Sequence, residues 1–453
     1  MKRATLLFLC VLIFSRLWAD EGALSAVEKQ RLDTLRYGTE TEIATLIQTI
    51  KTEKVDYLDN ELIEIAQKTK NKTIISGIFG FFTEAEKSGL EERAIKAIVE
   101  RDQEANDTVL AAVNYLGSVK ASEAVDTLEE LINSGESRFL GSALRALGRV
   151  ASEEEADSVA AFLLDYYNNR SPSDENKREI INGLGETGSK ESVSFLSALI
   201  KNTEERPTLR MAALDAMAKI GDEEGLDAVI EAVSSPDPNV RSSAVTALVP
   251  FSGEVAEKAI LEAFRDSYYR TRIGAAQAAG KRRLESAVPY LRYRAENDEV
   301  PNVKDEAIKA LGAINNEEAM GILDSLFSER KNSDRVRIMA ADMLLQNNAD
   351  VYGSRVFVEM QDAKLKNQTA LYNGFVRTMI TAKAPSLEAT VLRLINGGGV
   401  IEKSLALDII LNNEFRQLAD VIRSLLDEKK HSASIARKAQ STLEKLGLEA
   451  KAN

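Results

Sequence analysis

The chain has 453 residues, 44% apolar and 28% charged, with a formal charge of −13, one histidine and one cysteine. That composition excludes a disordered chain. The acidic balance excludes general nucleic-acid binding, where phosphate repulsion has to be overcome.

Residues 1–19 read as a secretory leader, with Lys2 and Arg3 ahead of an apolar run, Ala4–Phe14, and Ala19 at the cleavage edge. Leu17, at −3, is larger than usual there. The apolar run is about half the ~20 residues that span a bilayer, so no membrane span is expected. Loss of Lys2, Arg3 and Arg16 with the leader takes the charge from −13 to −16. Cys10 lies inside the leader, with too few apolar residues before it for a normal lipidation signal. A mature chain from Asp20 has no cysteine, hence no disulfide, thiolate ligand or cysteine nucleophile. Export without disulfides suits a bacterial envelope protein, with the periplasm as the expected location. The alternative is an uncleaved or cytosolic N-terminus.

Two amphipathic helices are predicted in 20–55, one carrying Leu24, Val27, Arg31, Leu32 and Leu35, the other Ile43, Leu46, Ile47 and Ile50. They match the following repeat weakly, which suits a cap. Helix pairs begin near 56. Ile74–Phe82, the most apolar stretch of the mature chain, reads as a buried helix under the cap or as an exposed docking patch. Paired helices follow at 108–116 and 123–131, then at 140–147 and 156–164. Gly117 and Gly148 are placed to close the first member of each pair in a left-handed conformation. Residues 168–176 form the longest polar loop signal. Helices are predicted at 180–184, 193–200, 209–220 and 226–234. Pro236 and Pro238 make a turn before Val240, and further units fall near 255–268, 271–296, 303–328, 336–361, 369–395, 402–428 and 434–447. No sustained alternation predicts a strand.

What repeats is an Ala four residues before a bulky apolar residue: Ala112/Leu116, Ala143/Leu147, Ala213/Met217, Ala244/Leu248, Ala307/Leu311, Ala340/Leu344, Ala406/Ile410 and Ala439/Leu443, with Ala275/Ala279 in the same register. A period of roughly 31–37 residues is the mark of a solenoid. A unit of ~33 residues cannot bury a sufficient core alone. A basic residue stands three before the Ala in six copies, Arg210, Arg241, Arg272, Lys304, Arg337 and Lys403. These align on one side of the stack as a ladder of inter-unit hydrogen bonds or, on the other reading, as a row of ligand-binding cations. Asp237, Asn239, Asn302 and Asp334 stand just upstream in some copies.

The copies at 209–233, LRMAALDAMAKIGDEEGLDAVIEAV, and 303–327, VKDEAIKALGAINNEEAMGILDSLF, resemble HEAT repeats, of the short type also found in phycobilisome lyases. The resemblance covers roughly 105–447. It implies an all-α fold, a right-handed α-α superhelix whose second helices line the concave surface, and protein binding as the function. The expected organisation is a leader at 1–19, a helical cap at 20–55, a HEAT-like solenoid at 56–447 and a polar tail at 448–453.

No catalytic, cofactor or metal set assembles from these residues. His431, in a polar turn, reads as an ordinary solvated residue, and the only tryptophan, Trp18, is in the leader. Gly397–Gly399 lacks the GK[ST] of a phosphate loop. One charge feature stands out. Residues 265–294 hold eight cations against Asp266 and Glu285, interleaved with Tyr268, Tyr269, Tyr290 and Tyr293. Tyr269, Arg270, Arg282, Arg283, Tyr290, Arg292, Tyr293 and Arg294 are the candidate hot spot for an acidic protein segment or an anionic envelope polymer. The alternative is a mixture of inter-unit ion pairs and exposed charge. In 84–157 acids outnumber bases 17 to 8, which makes head-to-tail self-association a further option. The expected function is a non-enzymatic, protein-binding scaffold of the bacterial envelope. The alternatives are an accessory subunit of an enzyme complex, lyase-like, or an envelope-structural protein that binds cell-wall polymer.

Overall fold

A computed structural model describes residues 25–449. The leader with Cys10 and Trp18, Leu24 of the first cap helix, and tail residues 450–453 lie outside the described residues. Every regular element among the described residues is helical. The chain divides into two compact units, Met1–Leu196 with Asp215–Ile220, and Ser197–Leu214 with Gly221–Asn453.

Local chemistry sets the helix starts. Ser25 with Glu28 and Thr39 with Glu42 are reciprocal capping boxes for Ala26–Tyr37 and Glu40–Glu53. Asn71 Oδ1 accepts the N–H groups of Thr73 and Ile74 and opens Lys72–Ala85. Asp237 does the same for Asn239 and Val240, with Pro238 in the first turn of Pro238–Ala247. Ser173 caps Asp174–Thr187. The polar stretch expected as a long loop therefore shrinks to 170–173.

In each unit, first helices pack on first helices and second helices lie beside them. In the first unit the first helices include Lys72–Ala85, Asn106–Val119, Ser137–Val150 and Asp174–Thr187. In the second they include Pro238–Ala247, Tyr269–Arg282 and Pro301–Ile314. Both members of every Ala-plus-four pair are 0% exposed. Ile78/Phe82, Ile180/Leu184 and Phe375/Met379 occupy the same register in helices whose sequence lacks the Ala, and are equally buried. Ile74–Phe82 belongs to this interior: Ile74, Ile75, Ile78, Phe79, Phe81 and Phe82 are buried, so it is no docking patch.

The structure corrects the role expected of the glycines. Gly117 and Gly148 lie inside their helices, which run on to Val119 and Val150. A Cβ on Gly148 would stand 2.4 Å from Gly183 Cα on the next first helix. These glycines let two backbones meet. Closure of Asn106–Val119 falls instead to Lys120, at φ 55°.

The unit expected near 336–361 is a single run, Asp334–Leu365, broken only at Asn348 (φ −155°, ψ 73°). A second set of inter-unit bonds had no forecast in the sequence. Glu223 accepts the Ser252 N–H at 3.0 Å and its hydroxyl at 2.8 Å, Glu257 accepts from Ser286, and Glu388 accepts from Gln417 at 2.8 Å. Each pair is 29 residues apart, one unit to the next.

Candidate functional site

The six aligned cations are all engaged by the chain itself. Arg210 Nε donates to the Ile200 carbonyl and Arg337 Nε to the Phe327 carbonyl, both at 2.9 Å, tying a first helix to the end of the helix before it. Lys304 donates to the Glu296 carbonyl at 2.7 Å. Lys403 Nζ lies 3.2 Å from His431 Nδ1, so that half-buried histidine is not merely solvated. Arg241 and Arg272 bond the turn carbonyls before their own helices and reach into the next unit. Arg241 contacts Asp266 at 2.8 and 3.1 Å, and Arg272 contacts Asp298 at 2.8 and 2.9 Å.

The carboxylates that meet ladder arginines are thus Asp266, Asp298 and, at Arg337, Glu359 at 2.7 Å, not the upstream Asp237 or Asp334. Asp237 serves as a helix cap, and Asp334 is the first residue of its helix. Burial pushes the Asp266 and Asp298 carboxyls up, but the arginine hydrogen bonds and a backbone N–H outweigh it and hold each below the ordinary aspartate value. Each Asp stands six residues before the next ladder cation, Asp266 before Arg272 and Asp298 before Lys304, a spacing visible in the sequence. Lys331 fills that place before Arg337, so Lys304 meets a carbonyl and no carboxylate.

The eight hot-spot candidates are not gathered into one patch. Tyr269–Arg282 is 14 residues long, about 21 Å. It holds Tyr269 and Arg270 at its start, where Arg270 Nε donates to the Tyr269 hydroxyl at 3.2 Å, and Arg282 at its end. Arg283 is its left-handed cap, at φ 52°. Arg292 turns to Glu296 at 3.0 Å. Only Tyr290, Tyr293 and Arg294 converge, on the second helix Val288–Asn297.

There they meet Phe264 and Arg265 from the end of the preceding second helix, Gly253–Ala263, and with Pro289 enclose a cleft of about 440 Å³. Phe264 and Tyr290 stack with centroids 5.7 Å apart. The Arg265 guanidinium lies 5.5 Å from the centre of the Tyr290 ring, and that of Arg294 lies 5.2 Å from Tyr293. Arg294 also reaches Asp298 at 3.3 Å, so the ladder aspartate steadies the cleft wall. Among the described residues Arg265 has no carboxylate within ion-pair distance. A cleft near the N-terminus lined by Leu35, Arg36, Glu61, Glu64 and Lys68, about 580 Å³, differs in that its cations are matched within its own wall, Arg36 by Glu61 and Lys68 by Glu64.

Among the described residues no group of three His, Cys, Asp or Glu side chains is placed to hold a metal ion. No helix among them is long and apolar enough to cross a membrane. What the cleft offers is an unneutralised guanidinium over an aromatic floor, which suits an anionic group with apolar surface beside it.

No curated protein matches the sequence. Solved structures of Kap121p, a karyopherin, are similar in fold. The complex with Nup53p shares 11% identity at a TM-score of 0.42, covering 92% of this chain and 52% of that one. The complex with RanGTP shares 12% at 0.41, covering 92% and 52%. The chain spans about half the length of the structures it matches. A family model described as spirochaete HEAT repeat protein matches residues 35–442, and the chain belongs to that family.

Proposed function

We propose that this protein is a non-enzymatic scaffold that docks an acidic segment of a protein partner in the cleft between Gly253–Ala263 and Val288–Asn297. The observation that carries the reading is Arg265, exposed, laid over Tyr290 and left without a carboxylate in a chain of formal charge −13. In an acidic chain an unneutralised arginine on an aromatic floor costs little to keep and gains most when a carboxylate arrives. Arg and Tyr are the residues that most often anchor interfaces. An acidic peptide segment can place an apolar side chain on Tyr290 and Tyr293 beside the carboxylate that meets Arg265. Export to the bacterial envelope is part of the proposal and is supported by the apolar run 4–14; the mass of the protein recovered from cells would show whether residues 1–19 are removed.

The test is fluorescence anisotropy with a short labelled peptide carrying Asp beside Phe. Arg265→Glu and Tyr290→Ala are expected to weaken binding by 10-fold or more, about 1.4 kcal/mol. Charge reversal of Arg282 and Arg283, at the far end of the first helix, is expected to change it by less than about threefold, as long-range screened charge does. Equal loss in both sets would place the docking site elsewhere.

A further inference from the structure

A second cleft lies further along the same second-helix face. Phe327 and Ser328 end Glu317–Ser328; Ser354, Arg355, Val358 and Glu359 lie beyond the Asn348 break; Arg393 comes from Leu387–Gly397. Together they enclose about 260 Å³. Its charges sort themselves out. Arg355 pairs with Asp324 and Glu359 with the ladder residue Arg337, each at 2.7 Å. Arg393 is exposed and, among the described residues, has no carboxylate within ion-pair distance.

The two clefts thus share a plan. Each has one unneutralised arginine, Arg265 or Arg393, beside one exposed apolar side chain, Tyr293 at 57% or Val358 at 59%. In each, a wall residue is tied to a ladder arginine, Arg294 through Asp298 to Arg272, and Glu359 to Arg337. In stacking order, two or three second helices separate the centres of the clefts. With axes about 10 Å apart, that is roughly 25 Å. An extended chain at about 3.3 Å per residue covers it in about seven or eight residues.

We propose that the partner segment is an extended acidic peptide with two anchors, each a carboxylate next to an apolar side chain, about seven or eight residues apart, one seated on Arg265 and the other on Arg393. This rests on the docking reading above and deepens it. The exposed apolar residue in each cleft is what asks for a peptide, since a phosphate polymer offers nothing to cover it. The gap between clefts is what asks for an extended chain, since a helix rises only about 1.5 Å per residue and would need about twice the length.

The test uses the whole protein and synthetic peptides with an Asp-Phe pair at each end, joined by Gly/Ser spacers of about two, about seven and about fifteen residues. A one-anchor peptide is the reference. The spacers of about seven and about fifteen residues, both long enough to reach, are each expected to bind at least tenfold tighter than the one-anchor peptide, because the second contact becomes intramolecular. The short spacer, unable to reach, should bind like the one-anchor peptide. Arg393→Glu should return the middle spacer to one-anchor affinity and leave the one-anchor peptide within about threefold of its original value at Arg265. Arg393→Gln, which only removes the charge, should have the same sign and a smaller effect. Affinity independent of spacer length, or unmoved by Arg393→Glu, overturns the two-anchor inference. If the one-anchor peptide still binds and is lost on Arg265→Glu, the single-cleft reading survives that failure. If no peptide binds, both are wrong.

Discussion

Arg272 and Asp298 form a bidentate ion pair between successive units, at 2.8 and 2.9 Å, with the arginine side chain 7% exposed and the carboxylate 0%. Both ions have left water, so their attraction is offset by desolvation, and the pair is weak evidence of net stabilisation. Removing one partner is another matter. Asp298→Ala leaves the Arg272 guanidinium buried beside carbonyls alone and is expected to cost about 3–5 kcal/mol. Replacing both, Arg272→Met with Asp298→Leu, is expected to recover most of that loss. Denaturant unfolding of the two single variants and the double variant checks this. A double variant as unstable as the sum of the singles would show no coupling between the two residues and would overturn this account.

The same pair predicts an acid limb. Asp298 and Asp266 are both held below the ordinary aspartate value in the folded chain. A carboxyl with a lowered folded pKa contributes stability that is fully present above its unfolded pKa, about 3.9, and is lost as pH falls through the folded value. Stability from these two rungs should therefore be flat at neutral pH and decline below about pH 4. Asp266→Asn and Asp298→Asn should flatten that decline while lowering stability at neutral pH. Melting curves taken between about pH 2.5 and pH 7 would show it, and an acid limb unchanged in both variants would remove these aspartates from the account.

Gly148 and Gly321 make a matched contrast. Both are helical, but a Cβ on Gly148 would stand 2.4 Å from Gly183 Cα, while one on Gly321 meets nothing within 4 Å. Gly148→Ala must separate two backbones and is expected to destabilise by about 1–3 kcal/mol or more. Gly321→Ala removes unfolded-chain freedom without a clash and should stabilise by about 0.4–1 kcal/mol. Ala244→Leu, at a fully buried crossing, should behave like Gly148→Ala. Denaturant midpoints of the three variants decide it.

The sequence made the architecture readable because its signal is steric and local. An Ala four residues before a bulky side chain is what a close helix crossing requires, and each such pair is indeed buried. Where Ile78, Ile180 or Phe375 replaces the Ala, the composition cue vanishes although the register persists; helices are still predicted there from their apolar spacing, but the pairing itself is not visible. The glycines were assigned to helix ends because a lone Gly after an apolar residue looks the same whether it closes a helix or admits a neighbour; only the 2.4 Å approach of Gly183 separates the two. The basic-aromatic stretch was visible as composition, but composition carries no geometry. A helix of 14 residues puts Arg270 and Arg282 at opposite ends, and the partner of Tyr290 is Arg265, in the turn that follows another helix. Arg393, a hundred residues further on, had no marker at all.

The break at Asn348 gives a final prediction. Asn348 has non-helical φ and ψ, and its Oδ1 accepts the Val351 N–H at 3.2 Å. That is the geometry of an N-cap residue, so Asp334–Leu365 is two helices meeting at one residue with no turn between them. An N-cap side chain satisfies a backbone N–H that has no partner within its own helix. Asn348→Ala loses that bond, and the residue left behind favours continuing the helix; a cost of about 0.5–2 kcal/mol is expected. Asn348→Gly also loses the bond but tolerates the extended backbone, and should cost only a few tenths of a kcal/mol. Asn348→Pro cannot adopt φ −155° at all and should cost more than either. Hydrogen exchange at Val351 locates the effect, with faster exchange in the Ala variant than in the Gly variant. The reverse order would mean that the kink is held by packing on both sides and not by the asparagine.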